Sequence, residues 1–208
     1  VYCSEEVTSE ETSVDAQVED ALKAMGKSMS FFWTSTLFHI DDLPFDIDQL
    51  PDVFTQFRNR VEKSCHVRSC FDTPYALLFK TNVSIGTMPT VESLLGYSSD
   101  ATTHYVGGED AANQRLKEYF WEQDLLKVYK ETRNEMLGMD FSSKFSVWLA
   151  NGCISPRYIY QQVQEYEYQR VKNDSTYWLI FELLWRDYFR FVSMKYGNRI
   201  FSAKGIKQ

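Results

Sequence analysis

Apolar residues in the second half of the chain recur at helical spacing, and the longest such stretch is residues 173–196. It opens with Asn, Asp and Ser, whose side-chain oxygens can accept from the free amides of a first helical turn. One face of this predicted helix carries side chains at intervals of four, three and four residues: Trp178, Glu182, Trp185 and Phe189. A carboxylate among aromatic rings loses water, which costs free energy unless a partner is near, and Arg186 lies one turn later. The spacing leaves two interpretations open, an ion pair within a core helix or a functional carboxylate.

The rest of the second half also predicts helices joined by short connections. These further helices are expected at residues 107–121, 124–132, 141–151 and 155–171. Gly152 would end the third of them in the C′ position. Ser155 as N-cap and Pro156 in the first position would begin the fourth. The pattern therefore predicts an all-α array in this part of the chain.

The first sixty residues follow a different pattern. A short N-terminal strand, an amphipathic helix at 14–25 and a second strand at 30–37 are typical of the last βα unit of an open α/β sheet. A further helix is predicted at 52–62. Residues 63–105 show no sustained period, and their scattered Gly, Pro, Ser and Thr indicate a long connection between domains.

Charge is unevenly distributed along the chain, whose net charge is −7. Residues 1–60 contain 12 acidic and 4 basic groups, whereas residues 127–208 contain 13 basic and 8 acidic groups. The C-terminal part can therefore face phosphates although the whole chain is acidic. Aromatic residues make up 16% of the chain, which favours a large packed interior over disorder.

The sequence indicates neither a metal site nor a membrane span. Its four cysteines form no CxxC pair, and no second His stands at ligand spacing near Cys65 and His66. Free thiols in a reducing compartment are the simpler interpretation. No apolar run approaches the roughly 18 residues that a membrane-spanning helix needs.

Three hydroxyl side chains and one ammonium lie at the start of the helix predicted at 141–151: Ser142, Ser143, Lys144 and Ser146. Free backbone amides together with these donors can bind an anion, and a diphosphate would suit them. By the residues alone, simple helix capping is the favoured explanation of the same cluster.

Six segments of the chain match one known family in the same order. They are TLFHIDDLPF at 36–45, LPDVFTQFR at 50–58, YVGGEDAANQRLKEYFW at 105–121, LLKVYKETRN at 125–134, SSKFSVWLANGCISPR at 142–157 and FELLWRDYFR at 181–190. Together they resemble the photolyase/cryptochrome family, and within it the cryptochrome DASH branch. The resemblance covers most of the chain and is weakest at residues 66–100.

The resemblance implies a mostly α fold and a division into domains. Residues 1–43 would be the end of an antenna-type α/β domain, 44–105 the interdomain linker, and 106–208 the first half of a helical FAD-binding domain. The chain then looks cut at both ends. Glu10, in the acidic turn after the first strand, is a candidate for contact with an antenna, often a folate such as methenyltetrahydrofolate. A solvated helix start is the simpler explanation of this residue.

The resemblance also implies roles for particular residues. FAD would be held by Tyr129, Ser142, Ser143, Lys144, Phe145, Ser146 and Arg186. DNA would be bound by Arg133, Glu182, Trp185 and Arg186. Among these, Glu182 and Trp185 would be catalytic, because the carboxylate can hydrogen-bond a flipped-out pyrimidine and the indole can stack on it. Ser142 replaces the family's usual Thr but keeps the hydroxyl, whereas Val147 replaces a common Pro.

The implied function is FAD-dependent, blue-light-driven repair of cyclobutane pyrimidine dimers, with a preference for single-stranded DNA. The enzyme would be a deoxyribodipyrimidine photolyase, monomeric and intracellular, in the nucleus, a plastid or a mitochondrion. Such chemistry needs no nucleophile, and no GxSxG motif indicates one. Two alternatives remain open: a blue-light photoreceptor that signals without repair, and a non-catalytic fragment that lacks half of the flavin pocket.

Overall fold

Helices dominate the described residues, which are 1–76, 86–96, 105–135 and 137–206 of this computed structural model. In chain order the elements are β1 (Tyr2–Ser4), α1 (Ser9–Ala24), β2 (Ser30–Phe32), α2 (Phe54–Ser64), α3 (Val91–Leu95), α4 (Glu109–Lys117), α5 (Tyr129–Thr132), α6 (Ser146–Ala150), α7 (Pro156–Gln169) and α8 (Asp174–Tyr196). A π-helical turn, Glu118–Glu122, continues α4, and 3-10 turns cover Ile40–Asp42, Ile47–Gln49, Leu126–Val128 and Gly197–Phe201. The mostly α character predicted from the sequence is confirmed.

The N-terminal part forms a small strand–helix–strand unit. β1 and β2 pair in parallel, with Tyr2 opposite Ser30 and Ser4 opposite Phe32. This pairing agrees with the predicted βα unit, but α1 begins at Ser9, five residues earlier than expected. Two glutamates in its first turn favour that start because they face the positive end of the helix dipole.

The second strand is shorter than the pattern predicts and ends at Phe32 instead of residue 37. Beyond it the chain turns into the core, where the Thr36 hydroxyl accepts from the Trp33 indole at 2.6 Å and donates to the Phe38 carbonyl at 2.5 Å. The amides of Leu37 and Phe38 donate to the carboxylate of Asp187 on α8 rather than to a neighbouring strand. The Asp187 carboxylate thus accepts from backbone amides that, in a longer β2, would bond to a neighbouring strand.

Helix α8 lies at the centre of the packed core and contacts α2, α5 and α7. Its buried side chains include Leu179, Leu183, Leu184, Tyr188 and Phe191. The Trp33 ring stacks on Phe191 with centroids 5.8 Å apart, and Phe57 of α2 lies 6.0 Å from the same ring. The helix predicted at 173–196 is therefore confirmed as the element around which the core packs.

The helix predicted at 141–151 is present only as the short α6, which begins at Ser146. Lys144 adopts a φ of 60°, in the left-handed region that interrupts a right-handed helix. Ser142 and Ser143 therefore lie in an irregular loop ahead of α6 rather than in its first turn, and the expectation of a serine-rich helix start is wrong.

Contacts divide the chain into two units. One comprises Val1–Ser69 with Gly107–Gln208, and the other is Cys70–Val106, which contains α3. The segment predicted as a linker, 44–105, includes α2, whose Phe57 and Val61 are fully buried in the first unit. The domain boundaries at residues 43 and 105 stay a prediction. Among the described residues, no helix combines the length and the apolar character needed to cross a membrane.

Candidate functional site

A cavity of about 870 Å³ lies between α8, α5 and the loop before α6, within the first unit. Ten residues that the resemblance singled out line it: Tyr129, Arg133, Ser142, Ser143, Lys144, Phe145, Ser146, Glu182, Trp185 and Arg186. They come from three separate stretches of the chain. The structure thus brings the expected cofactor residues and the expected DNA-binding residues to one place.

The loop wall of the cavity carries the hydroxyl and ammonium groups. Ser143 on this wall is buried, and Tyr129 of α5 lines the same cavity. Burial, and next the nearby charge of Glu182, raise the pKa of Tyr129, so its phenol stays protonated at neutral pH. Because α6 has only five residues, the donors on this wall belong to the loop rather than to a long helix.

Glu182 pairs with Arg133, next to α5, rather than with a residue of its own helix. The Arg133 guanidinium lies 3.0 Å from the Glu182 carboxylate, and both side chains are about one quarter to one third exposed (26% and 33%). Arg186, the partner expected from helical spacing, donates instead to the backbone carbonyls of Ser35 and Leu149. The predicted Glu182–Arg186 pair is therefore wrong, and the Glu182 carboxylate pairs with a cation at the C-terminal end of α5.

Trp185 lines the cavity as part of an aromatic stack. The Phe54 ring of α2 lies nearly parallel to the indole, with centroids only 3.6 Å apart. Phe189 also stacks near it, at 5.5 Å and 26°. A base could therefore contact only the part of this indole that Phe54 and Phe189 leave exposed.

Two consecutive residues of α8 tie the cavity wall to the segment after β2. Arg186 reaches the Ser35 carbonyl, as described above, while Asp187 is fully buried and accepts from the amides of Leu37 and Phe38 at 2.9 Å each. Burial raises the pKa of Asp187 to about 7, although these two hydrogen bonds act in the opposite direction. The segment and the helix therefore hold each other through a buried carboxyl group.

Two residues considered from the sequence lie elsewhere. Glu10 is exposed in the first turn of α1 and is not among the lining residues, although Val7 and Thr8 are. Trp178 lies under Lys130 and Arg133, whose cationic groups are 4.9 and 5.3 Å from its ring, and it does not line the cavity.

Sequence reasoning missed Phe54 and Arg190 as parts of the site. Arg190 lines the cavity and pairs with Glu6 at 2.8 Å. It follows Arg186 by four residues, so helical spacing could have placed both arginines on one face. The stacking of Phe54 on Trp185 joins positions 131 residues apart, and no local pattern could have indicated it.

Comparison with known proteins finds relatives along almost the whole chain. A family model described as DNA photolyase matches residues 1–75. The chain is 52% identical over 210 residues to cryptochrome DASH, chloroplastic/mitochondrial, of Arabidopsis thaliana, and the match covers 99% of this chain. It is 50% identical over 210 residues to cryptochrome DASH of Synechocystis. The chain belongs to the photolyase/cryptochrome family.

Solved structures of this family share the fold. The Synechocystis sp. PCC6803 cryptochrome crystal structure superposes with a TM-score of 0.88 at 49% identity, over 98% of this chain. A class III photolyase from Agrobacterium tumefaciens, only 18% identical, superposes with a TM-score of 0.72. The chain spans about two fifths of the relatives it matches, namely 37% of the Arabidopsis protein and 43% of the Synechocystis protein.

Proposed function

We propose that the chain supplies one wall of an FAD site and of the adjoining DNA site in a photolyase of the cryptochrome DASH type. The observation that supports the proposal is the single cavity that gathers Tyr129, the loop 142–146 and the α8 residues Glu182, Trp185 and Arg186. Cryptochrome DASH proteins that are about half identical to the chain support the same assignment.

The residues present fit a flavin dinucleotide. Of the described lining residues, four are cationic and one is a carboxylate: Arg133, Lys144, Arg186, Arg190 and Glu182. Their excess positive charge suits a diphosphate, and the hydroxyls of the loop add donors without charge. A volume of about 870 Å³ lies within the usual range of ligand pockets. Tyr129, residues 142–146 and Arg186 would hold the cofactor.

When bound in its reduced form, FAD would supply a light-excited electron that splits a cyclobutane pyrimidine dimer and then returns, so the reaction has no net oxidation. The chain's own residues position the reactants. Glu182 presents a carboxylate to the polar edge of a flipped-out pyrimidine, and Arg133 fixes the rotamer of that carboxylate. The exposed part of the Trp185 indole contacts the pyrimidine pair.

The proposal extends to the partners of the whole protein. Its substrate is DNA with pyrimidine dimers, with single strands preferred because they give up a base without breaking pairs. The protein acts as a monomer, with a folate as its antenna. The protein is located in an organelle, and the Arabidopsis relative is named as chloroplastic/mitochondrial.

The test uses the full-length protein and its Glu182→Ala variant, with the FAD content of each measured by absorbance. We expect both to carry FAD, and blue light to restore dimer-containing single-stranded DNA with the parent and at least tenfold more slowly with the variant. The Glu182→Ala substitution removes the carboxylate that contacts the pyrimidine but leaves the loop 142–146 unchanged.

Tyr177→Phe is the matched control, since this α8 residue contacts Glu62 rather than the cavity. A parent that carries no FAD would contradict the proposal. A parent that carries FAD but repairs nothing would favour the photoreceptor alternative. Parent-like repair by Glu182→Ala would limit Glu182 to a structural role.

A further inference from the structure

We propose that Arg115 of α4 is a positioning residue that shapes the loop 139–146 to receive the diphosphate of FAD. The inference rests on the proposed flavin site and adds a residue to it. Arg115 does not line the cavity, and its side chain is only 6% exposed. It therefore acts on the cofactor through the loop and not by contact.

One guanidinium holds four acceptors of this loop. Arg115 donates to the carbonyls of Met139 at 2.5 Å, Ser142 at 3.2 Å and Ser143 at 3.2 Å. It also donates to the Asp140 carboxylate at 3.2 Å. Its plane lies over the Tyr119 ring, 5.0 Å from the centroid, which fixes the guanidinium from the side of its own helix. One buried guanidinium thus holds the loop from the side of the protein interior.

The direction of these carbonyls decides where the amides point. In a trans peptide, the C=O of one residue and the N–H of the next point in opposite directions, and the chain has no cis bond among its described residues. With the Ser142 and Ser143 carbonyls turned to Arg115, the amides of Ser143 and Lys144 are turned away from it. Both residues line the cavity. Arg115 therefore orients the backbone N–H groups of Ser143 and Lys144 away from its own guanidinium.

The backbone after Ser143 has the handedness of an anion-binding loop. Lys144 has a φ of 60°, and the next residue, Phe145, is right-handed at φ −63° and ψ −18°. Neighbouring residues of opposite handedness turn their N–H groups to the same side and form a concavity for anions. A left-handed lysine is unfavourable by itself and persists where its surroundings hold it. Arg115 holds the residues immediately before it.

Only an arginine can make this set of contacts. Its planar fork carries five N–H donors, whereas a lysine offers a single point charge. The sequence also contained a signal, because Arg115 shares a helical face with the apolar Ala112, Leu116 and Tyr119, all buried. A charged residue on such a face needs several partners, and the loop supplies them.

The experiment compares FAD and riboflavin, which lacks the diphosphate, as ligands of the full-length protein freed of flavin. For Arg115→Lys we expect the dissociation constant for FAD to rise about tenfold or more. We expect that for riboflavin to stay within about twofold, since the loop does not hold its ring. Hydrogen exchange should become faster at the amides of residues 139–145.

Arg170→Lys is the matched control. Arg170 also binds backbone carbonyls, those of Phe120 and Trp121, but neither of those two residues lines the cavity. We expect it to leave both dissociation constants at the parent values. Parent-like FAD binding by Arg115→Lys would overturn the inference, and so would an equal loss of FAD and riboflavin. A parent that binds no FAD would instead overturn the proposed function, and the inference with it.

Discussion

At the scale of single residues, the site depends on buried polar groups that hydrogen-bond to one another. Asp187 shows this most clearly, because both of its oxygens accept backbone amides while its surroundings exclude water. Burial favours the neutral form of the acid and raises its pKa to about 7. The residue therefore couples the packing of α8 to pH.

We predict that the protein becomes less stable as pH rises from about 4 to about 7 on account of Asp187. In this window the folded state keeps a proton that the unfolded chain, with an ordinary pKa of 3.8, has released. Asp187→Asn removes this titration and turns one amide donor toward a backbone N–H. It should lower the unfolding free energy by about 1–3 kcal/mol, and the gap to the parent should narrow as pH rises. Thermal unfolding at pH 5, 6, 7 and 8 measures it.

Asp174→Asn serves as the comparison. This exposed carboxylate of α8 has its pKa lowered by Lys130, so it titrates below the window. The variant should keep the parent's pH dependence between 5 and 8. A constant gap between parent and Asp187→Asn across that range would show that Asp187 does not titrate there.

The serines of the loop give a second prediction at this scale. Ser143→Ala with Ser146→Ala removes two hydroxyl donors from the cavity wall. Each lost hydrogen bond to a charged group costs about 1.5–3 kcal/mol, so FAD retention after gel filtration should fall strongly. Ser193→Ala, which also lines the cavity but bonds its own helix, should retain FAD. Equal retention by the double variant would argue against a diphosphate on this loop.

At the scale of elements, α8 is secured at its N-terminal end by a capping box. The Asn173 side chain accepts from the amides of Ser175 at 2.9 Å and Thr176 at 3.0 Å, and the Thr176 hydroxyl accepts from the Asn173 amide at 3.2 Å. Thr176 and Ser175 also donate to Glu167 of α7 and Glu131 of α5. The cap thus joins three helices at one end of the cavity wall.

Asn173→Ala should lower the unfolding free energy by about 1 kcal/mol, because two amides of the first turn lose their acceptor. The difference can be measured by urea unfolding of the parent and the variant. Asn198→Ala, at an exposed position after α8, is the matched change and should have almost no effect. A loss as small as that of Asn198→Ala would mean that packing alone fixes the start of α8.

At the scale of the whole molecule, the sequence predicted the parts that depend on periodicity and local chemistry. The course of α8, its Asn173 cap and the Pro156 start of α7 followed from spacing and capping rules. The resemblance named ten residues that the structure gathers around one cavity. Their roles stay predictions until flavin binding and repair are measured.

What could not be predicted depends on contacts between distant segments. Helical spacing placed Arg186 within reach of Glu182, but Arg133, 49 residues away, took that position. The early end of β2 reflects the amides of Leu37 and Phe38 binding Asp187, 150 and 149 residues away. The late start of α6 reflects the left-handed Lys144, a conformation that a lysine rarely adopts and that no pattern signals.

The three hydrogen bonds that Arg186 and Asp187 make to residues 35–38 also fix the rotation of α8 about its own axis. Each residue of an α-helix subtends about 100°, so a shift of one position would swing the Glu182 carboxylate away from Arg133 and the indole of Trp185 off Phe54. A short segment next to the sheet therefore governs which side chains face the cavity. A residue inserted between β2 and Leu37 would move the Leu37 and Phe38 amides off Asp187, and the orientation of α8 would then depend on its apolar packing alone.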